Sequence, residues 1–294
     1  MKRILLTGIS GQLGRELQPS LTALGEVIGF DRATLDLAQP DQMYQIVSEI
    51  KPDLIVNAAA YTAVDKAETE SELANLINGK GPTVLAEAAQ RLGAALIHIS
   101  TDYVFDGCKN TPYTEEDTPN PINAYGRSKL LGEIGVRHAC EHHIILRTAW
   151  VYGVYGQGNF VKTMLRVGAE REQLRVVVDQ VGAPSWTGDI AQVIIQLGQK
   201  LISHQDISGG TYHFTNSGAI SWYDFAVAIF EEAQQLGIPL KIQHVVPITT
   251  LEYPTPAARP AYSVLAHQKL SGVLGTYPPH WRLGLRKMLK KLYA

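Results

Sequence analysis

Short apolar runs alternate with segments of helical spacing through the first half of the chain. We predict strands at Ile4–Thr7, Val27–Phe30, Asp53–Asn57, Ala95–Ser100 and Ile144–Thr148. We predict helices between them at Leu13–Leu24, Asp41–Ile50, Ser71–Leu92 and Ala124–Ala139. This alternation is typical of a parallel sheet with helices on both faces. The continuous apolar character of the runs fits strands that are buried on both sides. The pattern therefore predicts an α/β fold with a doubly wound parallel sheet.

Three glycines follow the first predicted strand and open the first predicted helix. In Gly8, Gly11 and Gly14 the spacing is one residue wider than in the common dinucleotide fingerprint. Such glycines allow a tight turn, a close approach of the backbone to a diphosphate, and close packing of helix on strand. The diphosphate then lies at the positive end of the helix. Three glycines alone can also make a plain turn, but the strand before and the helix after predict a Rossmann-type cofactor site.

The residues after the second predicted strand bear on which nicotinamide cofactor is used. Asp31 ends that strand, where an acidic residue bonds the adenosine ribose of NADH. Arg32 follows, and an arginine there can accept the 2′-phosphate of NADPH. Asp36 and Leu37 can flank the adenine. The sequence therefore leaves both NADH and NADPH open, and Asp31 can also be read as a simple turn residue.

A hydroxyl, a phenol and an ammonium are placed to act on a carbonyl. Thr101 follows the fourth predicted strand, and Tyr125 and Lys129 are spaced i, i+4 on the next helix. Hydride addition to a carbonyl makes an alkoxide, which needs a proton donor. We expect Tyr125 to donate that proton, with its pKa lowered by the nearby ammonium of Lys129. We expect Thr101 to hydrogen-bond the carbonyl oxygen.

The second half of the chain is less regular. We predict helices at Asn159–Glu170, Gly188–Leu201, Ser221–Leu236 and Leu285–Leu292, and strands at Leu174–Val178, Thr211–Thr215 and Ile242–Val246. We expect residues 1–150 to form the dinucleotide-binding domain. We expect residues 151–294 to form mainly a smaller C-terminal substrate-binding lobe, with some segments returning to the main sheet.

Composition argues against several other classes of protein. The net charge is -2, which favours neither a nucleic-acid nor a membrane partner. The chain has 2 cysteines, without the spacing of a zinc site. Since no run of 18 apolar residues occurs, we expect no membrane span and a cytoplasmic protein.

Several motifs resemble those of the dTDP-4-dehydrorhamnose reductases, a family of extended short-chain dehydrogenases. Besides the glycine turn they are NAAAYTAVDKAE (57–68), STDYVFDG (100–107), AYGRSKLLGE (124–133), LRTAWVYG (146–153), DQVGAPSW (179–186), SWYDFA (221–226) and YPTPAARP (253–260). The resemblance covers essentially the whole chain. It implies NADPH- or NADH-dependent reduction of the 4-keto group of dTDP-4-dehydro-L-rhamnose to dTDP-L-rhamnose. A nucleotide-sugar epimerase or dehydratase, or a non-catalytic regulatory subunit on the same fold, is the alternative.

The same resemblance implies roles for particular residues. Contacts to the cofactor fall on Gly11, Gln12 and Leu13 at the diphosphate, on Asp31, Asp36 and Leu37 around the adenosine, and on Ala60, Tyr61 and Thr62 at the nicotinamide side. The catalytic trio is Thr101, Tyr125 and Lys129, and the sugar nucleotide contacts Thr101, Asp102 and Trp150. Trp150 can otherwise be a core aromatic.

One further substrate contact is predicted from chemistry. The guanidinium of Arg259 suits bidentate recognition of a diphosphate, and a proline on its C-terminal side stiffens the loop. A surface arginine paired with a carboxylate is the alternative.

Some family members bind Mg²⁺ between subunits through acidic side chains on the first helix and near the C-terminus. Glu16 matches the first position, whereas the closing helix carries Lys290 and Lys291 and no carboxylate. Cations cannot ligate Mg²⁺. We therefore predict no metal site, and we leave a monomer and a homodimer both open.

Overall fold

The computed structural model describes residues 1–203 and 207–293. Its strands are β1 Arg3–Thr7, β2 Glu26–Phe30, β3 Leu54–Asn57, β4 Ala95–Thr101, β5 His143–Thr148, β6 Val151–Tyr152, β7 Gln173–Val177, β8 Val181–Gly182, β9 Ser185–Trp186, β10 Gly210–His213, β11 Ile220–Ser221 and β12 His244–Ile248. Its α-helices are α1 Gln12–Ser20, α2 Pro40–Ile50, α3 Ser71–Asn75, α4 Gly81–Leu92, α5 Ala124–Ala139, α6 Phe160–Glu170, α7 Thr187–Ile202, α8 Trp222–Gln235, α9 Gln268–Leu274 and α10 Trp281–Tyr293.

The main sheet has six parallel strands in the order β10-β5-β4-β3-β1-β2. Alternate side chains of each strand serve opposite faces. On β1, Ile4 and Leu6 pack with Leu17 of α1 and Ile194 of α7, whereas Leu5 joins the core formed by α2 and α4. The predicted doubly wound α/β fold is confirmed, and the need to cover both faces explains the uninterrupted apolar runs.

The second half of the chain contributes to two cores. β10 extends the main sheet beside β5, and α7 covers one of its faces. A separate core forms among α6, α8 and α10 around Val161, Phe225, Ile229 and Leu285. No helix in the described part of the chain is both long and apolar enough to cross a membrane.

The predicted helix Ser71–Leu92 is helical throughout but not regular. Residues Leu76–Lys80 form a π-helical turn between α3 and α4. Pro82 lies in the first turn of α4 and has no backbone N–H to bond the carbonyl four residues earlier. The side chain of Asn78, within this turn, accepts from the backbone N–H of Tyr61 at 2.8 Å and donates to its carbonyl oxygen at 2.9 Å. The turn thereby anchors the loop after β3.

Other predicted bounds differ by a few residues. The first helix ends at Ser20 and passes into a 3-10 turn at Leu21–Ala23, just after Pro19. The closing helix begins at Trp281, four positions before the predicted start, and the last predicted strand is displaced to His244–Ile248. Trp281 and the strand positions gain their structure from contacts with the second core, which local periodicity does not contain.

Candidate active site

A cleft of about 800 Å³ opens at the carboxyl ends of the main-sheet strands. It is lined by nearly all of the predicted site residues: Gly8, Gly11, Gln12, Leu13, Asp31, Arg32, Asp36, Leu37, Ala60, Tyr61, Thr62, Thr101, Asp102, Tyr125, Lys129 and Trp150. Residues from the second half of the chain that also line it are Gly156, Gln157, Gly158 and Trp222. This edge is where open α/β sheets bind their ligands.

The glycine turn leaves space for a ligand at the start of α1. Gly8 has φ +75°, and a Cβ at Gly14 would lie 2.1 Å from the carbonyl oxygen of Gly8. Gly14 is therefore a packing position behind the cleft rather than a lining residue. Gly11 precedes α1 without a side-chain cap, so backbone N–H groups at the helix start are open to an anion. The turn fits a diphosphate.

Asp31 and Arg32, the two residues expected to influence the choice between NADH and NADPH, both line the cleft. Asp31 Oδ1 accepts from the backbone N–H groups of Ala33 and Thr34 at 3.0 and 3.1 Å. Hydrogen bonds from Thr34 hold the pKa of Asp31 below its usual value, so this carboxylate is charged. The side chain of Arg32 is 75% exposed and lies 3.8 Å from the carboxylate of Asp36. The charge of Asp31 and the guanidinium of Arg32 both remain at the cleft.

α5 carries the two catalytic candidates toward the end of β4. Asn123 caps this helix by accepting from the backbone N–H of Gly126 at 2.7 Å. The ammonium of Lys129, which is 2% exposed, donates to the carbonyl oxygen of Ile99 at 2.7 Å. Tyr125 lines the cleft one helical turn earlier, with Tyr103 edge-on at 5.7 Å between ring centroids.

The protonation of this pair differs from our expectation. Burial raises the pKa of Tyr125 to about 12, with Thr101 opposing and Asp102 adding to the rise. Burial lowers the pKa of Lys129 to about 8, opposed by the carboxylate of Glu133. The prediction that Lys129 lowers the pKa of Tyr125 is wrong for this structure, because the ammonium is directed at Ile99 and desolvation of the phenol dominates.

Two buried polar atoms at the cleft have no protein partner among the described residues. The hydroxyl of Thr101 donates to Oδ1 of Asp102 at 3.0 Å, and the side chain of Ser263 lies near enough to Asp102 to lower its pKa. Oδ2 of Asp102 and the hydroxyl of Thr148 nevertheless lack a partner within hydrogen-bond geometry. Burial raises the pKa of Asp102 to about 6. Since buried polar groups are nearly always hydrogen-bonded, these atoms fit a polar ligand such as a sugar.

Trp150 lines the cleft and also packs, half-buried, against the second core. Its φ of 46° lies in the left-handed region, which is unusual for a bulky residue. Its indole stacks on that of Trp222 with centroids 3.5 Å apart and planes 7° apart. Sequence reasoning missed Trp222, whose only signal was the SWYDFA motif. The stack joins the segment after β5 to the first residue of α8.

Arg259 lies outside the set of residues that line the cleft. Its guanidinium bonds the carboxylate of Asp65 at 3.0 Å and the carbonyl oxygen of Ala257 at 2.7 Å. Hydrogen bonds from Arg259 hold the pKa of Asp65 below its usual value. The alternative of an arginine paired with a carboxylate describes this geometry, and the diphosphate contact stays a prediction.

Glu16, the residue matched to a metal ligand, is joined to the last helix by an ion pair. Lys291 donates to its Oε1 at 2.8 Å, within one chain. In residues 1–203 and 207–293 we find no group of three or more His, Cys, Asp or Glu side chains arranged to hold a metal ion. The ammonium of Lys291 therefore bonds one oxygen of the Glu16 carboxylate, the group matched to a metal ligand.

Comparisons of sequence and of structure both find that this chain is similar to dTDP-4-dehydrorhamnose reductases. The family model described as "RmlD substrate binding domain" matches residues 1–294. A dTDP-4-dehydrorhamnose reductase of Aggregatibacter actinomycetemcomitans is 46% identical over 290 residues, covering 98% of each chain. A Bacillus anthracis dTDP-4-dehydrorhamnose reductase, crystallised with NADP, is 41% identical with a TM-score of 0.91, covering 99% of this chain and 100% of its own.

A second solved structure, a dTDP-4-dehydrorhamnose reductase of Clostridium acetobutylicum, is 43% identical with a TM-score of 0.92, covering 99% of this chain and 100% of its own. A UDP-glucose 4-epimerase of Thermus thermophilus shares the fold at a TM-score of 0.79 but is only 21% identical, covering 99% of each chain. This chain belongs to the RmlD substrate binding domain family, together with the dTDP-4-dehydrorhamnose reductases to which it is similar.

Proposed function

We propose that this chain is an NADPH- or NADH-dependent dTDP-4-dehydrorhamnose reductase. It reduces the 4-keto group of dTDP-4-dehydro-L-rhamnose to give dTDP-L-rhamnose. The observation that carries the proposal is the meeting of Thr101, Tyr125 and Lys129 with the glycine turn in one cleft, in a chain whose relatives carry this name. When bound, the nicotinamide supplies the hydride.

The cleft offers binding groups for the whole dinucleotide. The backbone at Gly11, Gln12 and Leu13 would hold the diphosphate, and Asp31 and Arg32 would contact the adenosine ribose; all five line the cleft. Asp36 and Leu37 would border the adenine, and Ala60, Tyr61 and Thr62 would border the nicotinamide side. Because Asp31 favours NADH and Arg32 favours NADPH, we expect both cofactors to work.

Tyr125 supplies the proton that reduction requires. With a pKa of about 12 its phenol is protonated at neutral pH, the state of a proton donor. An alkoxide is a far stronger base than a phenolate, since its conjugate acid resembles water, with a pKa of about 15.7. Transfer from Tyr125 to the new alkoxide is therefore downhill. Lys129, with a pKa of about 8, is proposed to supply the proton that restores the phenol once its ammonium turns from the carbonyl oxygen of Ile99.

Thr101, Asp102 and Trp150 are proposed to hold the sugar nucleotide. Thr101 can turn its hydroxyl from Asp102 to the substrate carbonyl, and the unbonded Oδ2 of Asp102 can accept from a sugar hydroxyl. Trp150, backed by Trp222, offers an apolar wall. Arg259 reaches the diphosphate only if it leaves Asp65, so its role is the least supported of the four.

We also propose that the two halves of the chain bind different ligands. Residues 1–150 hold the dinucleotide, and residues 151–294 mainly close the cleft over the sugar. Support comes from contacts between the halves, since the side chain of Gln12 donates to the carbonyl oxygen of Val151 at 3.0 Å. We propose further that the protein acts in the cytoplasm, as a monomer or homodimer.

The test is direct. Purified protein is offered dTDP-4-dehydro-L-rhamnose with NADPH or NADH, and loss of nicotinamide absorbance is followed together with product formation. We expect one reduced cofactor to be oxidised for each dTDP-L-rhamnose formed. Sugar conversion without net cofactor oxidation would instead indicate an epimerase or dehydratase, and inactivity with both cofactors would favour a regulatory subunit.

A further inference from the structure

A line of hydrogen bonds runs through the core beneath Lys129. The hydroxyl of Thr7 and the backbone N–H of Ala59 both donate to Oδ1 of Asn57, at 2.7 and 3.3 Å. The backbone N–H of Ala59 is shared with Oγ1 of Thr7, at 3.2 Å, and since a backbone N–H can only donate, the amide of Asn57 turns its oxygen toward this side. The amide nitrogen of Asn57 therefore lies on the other side, 3.0 Å from Nδ1 of His98. Nδ1 of His98 accepts this hydrogen bond.

These contacts select one tautomer of His98. Its ring is fully buried on β4, and burial together with the charge of Lys129 lowers its pKa well below the usual value. The ring is therefore neutral. A neutral imidazole that accepts at Nδ1 carries its proton at Nε2. Nε2 lies 3.5 Å from Nζ of Lys129, so the ammonium faces an N–H group.

We propose that His98 is a positioning residue that favours the neutral amine of Lys129 over its ammonium. An ammonium has three donors and no acceptor, so it gains nothing from the N–H at Nε2. A neutral amine has a lone pair that can accept from it. The carbonyl oxygen of Ile99, 2.7 Å from Nζ, accepts in both states but favours the ammonium, because a charged donor makes the stronger hydrogen bond. The N–H at Nε2 acts in the opposite direction.

The proposal rests on the proposed reductase function and adds the last proton step to it. Hydride reaches the carbonyl carbon, the Tyr125 proton reaches the carbonyl oxygen, and the Lys129 proton restores the phenol. The amine then regains its proton from solvent. Because His98 stabilises the amine left behind, release of the proton from Lys129 costs less. Burial already lowers the pKa of Lys129 to about 8, and the proposal adds the contact with His98 to that cause.

Other charged groups near Lys129 do not replace this contact. Glu133, one turn later on α5, favours the ammonium, but its carboxylate is bonded by Arg147 of β5 at 2.6 Å. Asp102 acts on Tyr125 at the end of β4. The remaining titratable side chains on most segments packed against α5 are at least partly exposed: Lys66, Glu68, Glu72, Lys80, Glu87, Arg91 and Tyr103.

The substitution His98→Asn distinguishes the roles of the two ring nitrogens, because it can replace one of them but not the other. An asparagine oxygen can reach the place of Nδ1 and accept from Asn57, but no atom reaches the place of Nε2. His143→Asn is the matched control, because His143 is also buried. It is the first residue of β5, where its Nδ1 contacts the carbonyl oxygen of Cys140. Both substitutions remove a buried imidazole, and only the first removes the N–H that faces Lys129.

The measurement is the pH dependence of kcat/KM for the sugar nucleotide. In the unsubstituted protein we expect the alkaline limb near pH 8, where Lys129 loses its proton. In His98→Asn the limb should move upward by about one pH unit, a tenfold change in the ionisation constant. In His143→Asn it should not move. A limb that stays in place or falls in His98→Asn overturns the proposal. Looser packing around Lys129 also raises its pKa by reducing burial, so an upward shift supports the proposal only together with a proton at Nε2 of His98 in the unsubstituted protein.

A second readout needs no activity. Nitrogen NMR of the ¹⁵N-histidine-labelled chain, with His98 assigned by its loss in His98→Asn, should show a neutral ring protonated at Nε2 from pH 6 to 9. A proton at Nδ1, or a charged ring, would overturn the proposal. If the unsubstituted protein shows this tautomer but reduces no sugar nucleotide, the proposed function fails while the tautomer assignment stands.

Discussion

Tyr125 is the residue on which turnover depends most directly. Tyr125→Phe removes the proton donor and keeps the ring, so kcat should fall by about 100-fold or more, while the Kd for NADPH changes little. Tyr103→Phe is the matched control, since this ring contacts Tyr125 edge-on and also lines the cleft. Steady-state kinetics and cofactor titration measure both effects. Near-normal turnover in Tyr125→Phe would remove this residue from the mechanism.

Asp31 should set the balance between the two cofactors. Asp31→Asn keeps an oxygen that can accept from Ala33 and Thr34 but removes the negative charge. Repulsion of the 2′-phosphate is thereby relieved, so the ratio of kcat/KM for NADPH to that for NADH should rise by roughly tenfold, the size of one close charge interaction. If the ratio moves toward NADH, Asp31 does not face the ribose.

Asp102 is a residue where stability and function oppose each other. Burial raises its pKa from 3.8 to about 6, so the folded state penalises the carboxylate. The stability that the protonated form contributes is complete below pH 4 and is lost as pH rises through 6. Asp102→Asn should therefore be more stable than the parent at pH 8, by up to roughly 3 kcal/mol.

The advantage of Asp102→Asn should grow from pH 4 to pH 7 and then level off, because the parent carboxylate is fully charged above that range. Urea unfolding at pH 5 and pH 8 measures the difference. Activity should fall at pH 8, where the variant loses a charge at the cleft, and should change less at pH 5, where the parent carboxylate is already largely protonated. If the difference in stability between Asp102→Asn and the parent were the same at pH 5 and pH 8, burial would not penalise the carboxylate.

At the scale of elements, the junction between β1 and α1 depends on the absence of a side chain. Gly14→Ala would place a Cβ 2.1 Å from the carbonyl oxygen of Gly8, so the turn must open. Overpacking of this kind costs about 1–3 kcal/mol, and we expect NADPH binding to weaken by roughly 10- to 100-fold. Titration of the cofactor by fluorescence gives the Kd.

Gly272→Ala is the control for the glycine junction. A Cβ there has nothing within 4 Å, and the position lies inside α9. Alanine is the better helix former by up to about 1 kcal/mol, so this variant should bind NADPH normally and gain a little stability. Equal effects of the two substitutions would mean that loss of glycine flexibility, rather than the close contact, accounts for the result.

At the scale of the whole molecule, the first and last helices are tied by a direct ion pair. Because Lys291 of α10 bonds Glu16 of α1, that carboxylate has a partner within its own chain. We therefore expect a chelator such as EDTA to leave kcat and oligomeric state largely unchanged. Complete loss of activity with the chelator, restored by Mg²⁺, would show that the metal ligands lie elsewhere.

Features carried by local residue order could be predicted from the sequence. Strands buried on both faces of a parallel sheet can be recognised from their apolar runs alone, so the predicted bounds of β1 to β5 lie within a few residues of the observed ones. The glycine turn and the i, i+4 pair of Tyr125 and Lys129 also follow from spacing alone, because a strand end and a helix face are set by the backbone period. The fold and most of the cleft-lining residues were therefore accessible.

Only the tertiary structure decided features that depend on distant partners. The stacking of Trp150 on Trp222, the pairing of Arg259 with Asp65 and the bond from Lys291 to Glu16 join residues far apart in the chain. The protonation of the site depends in the same way on burial, since desolvation is a property of everything packed around a group. Residue order therefore determined which groups meet at the cleft, and packing decided which of them are charged, paired or held ready for a ligand.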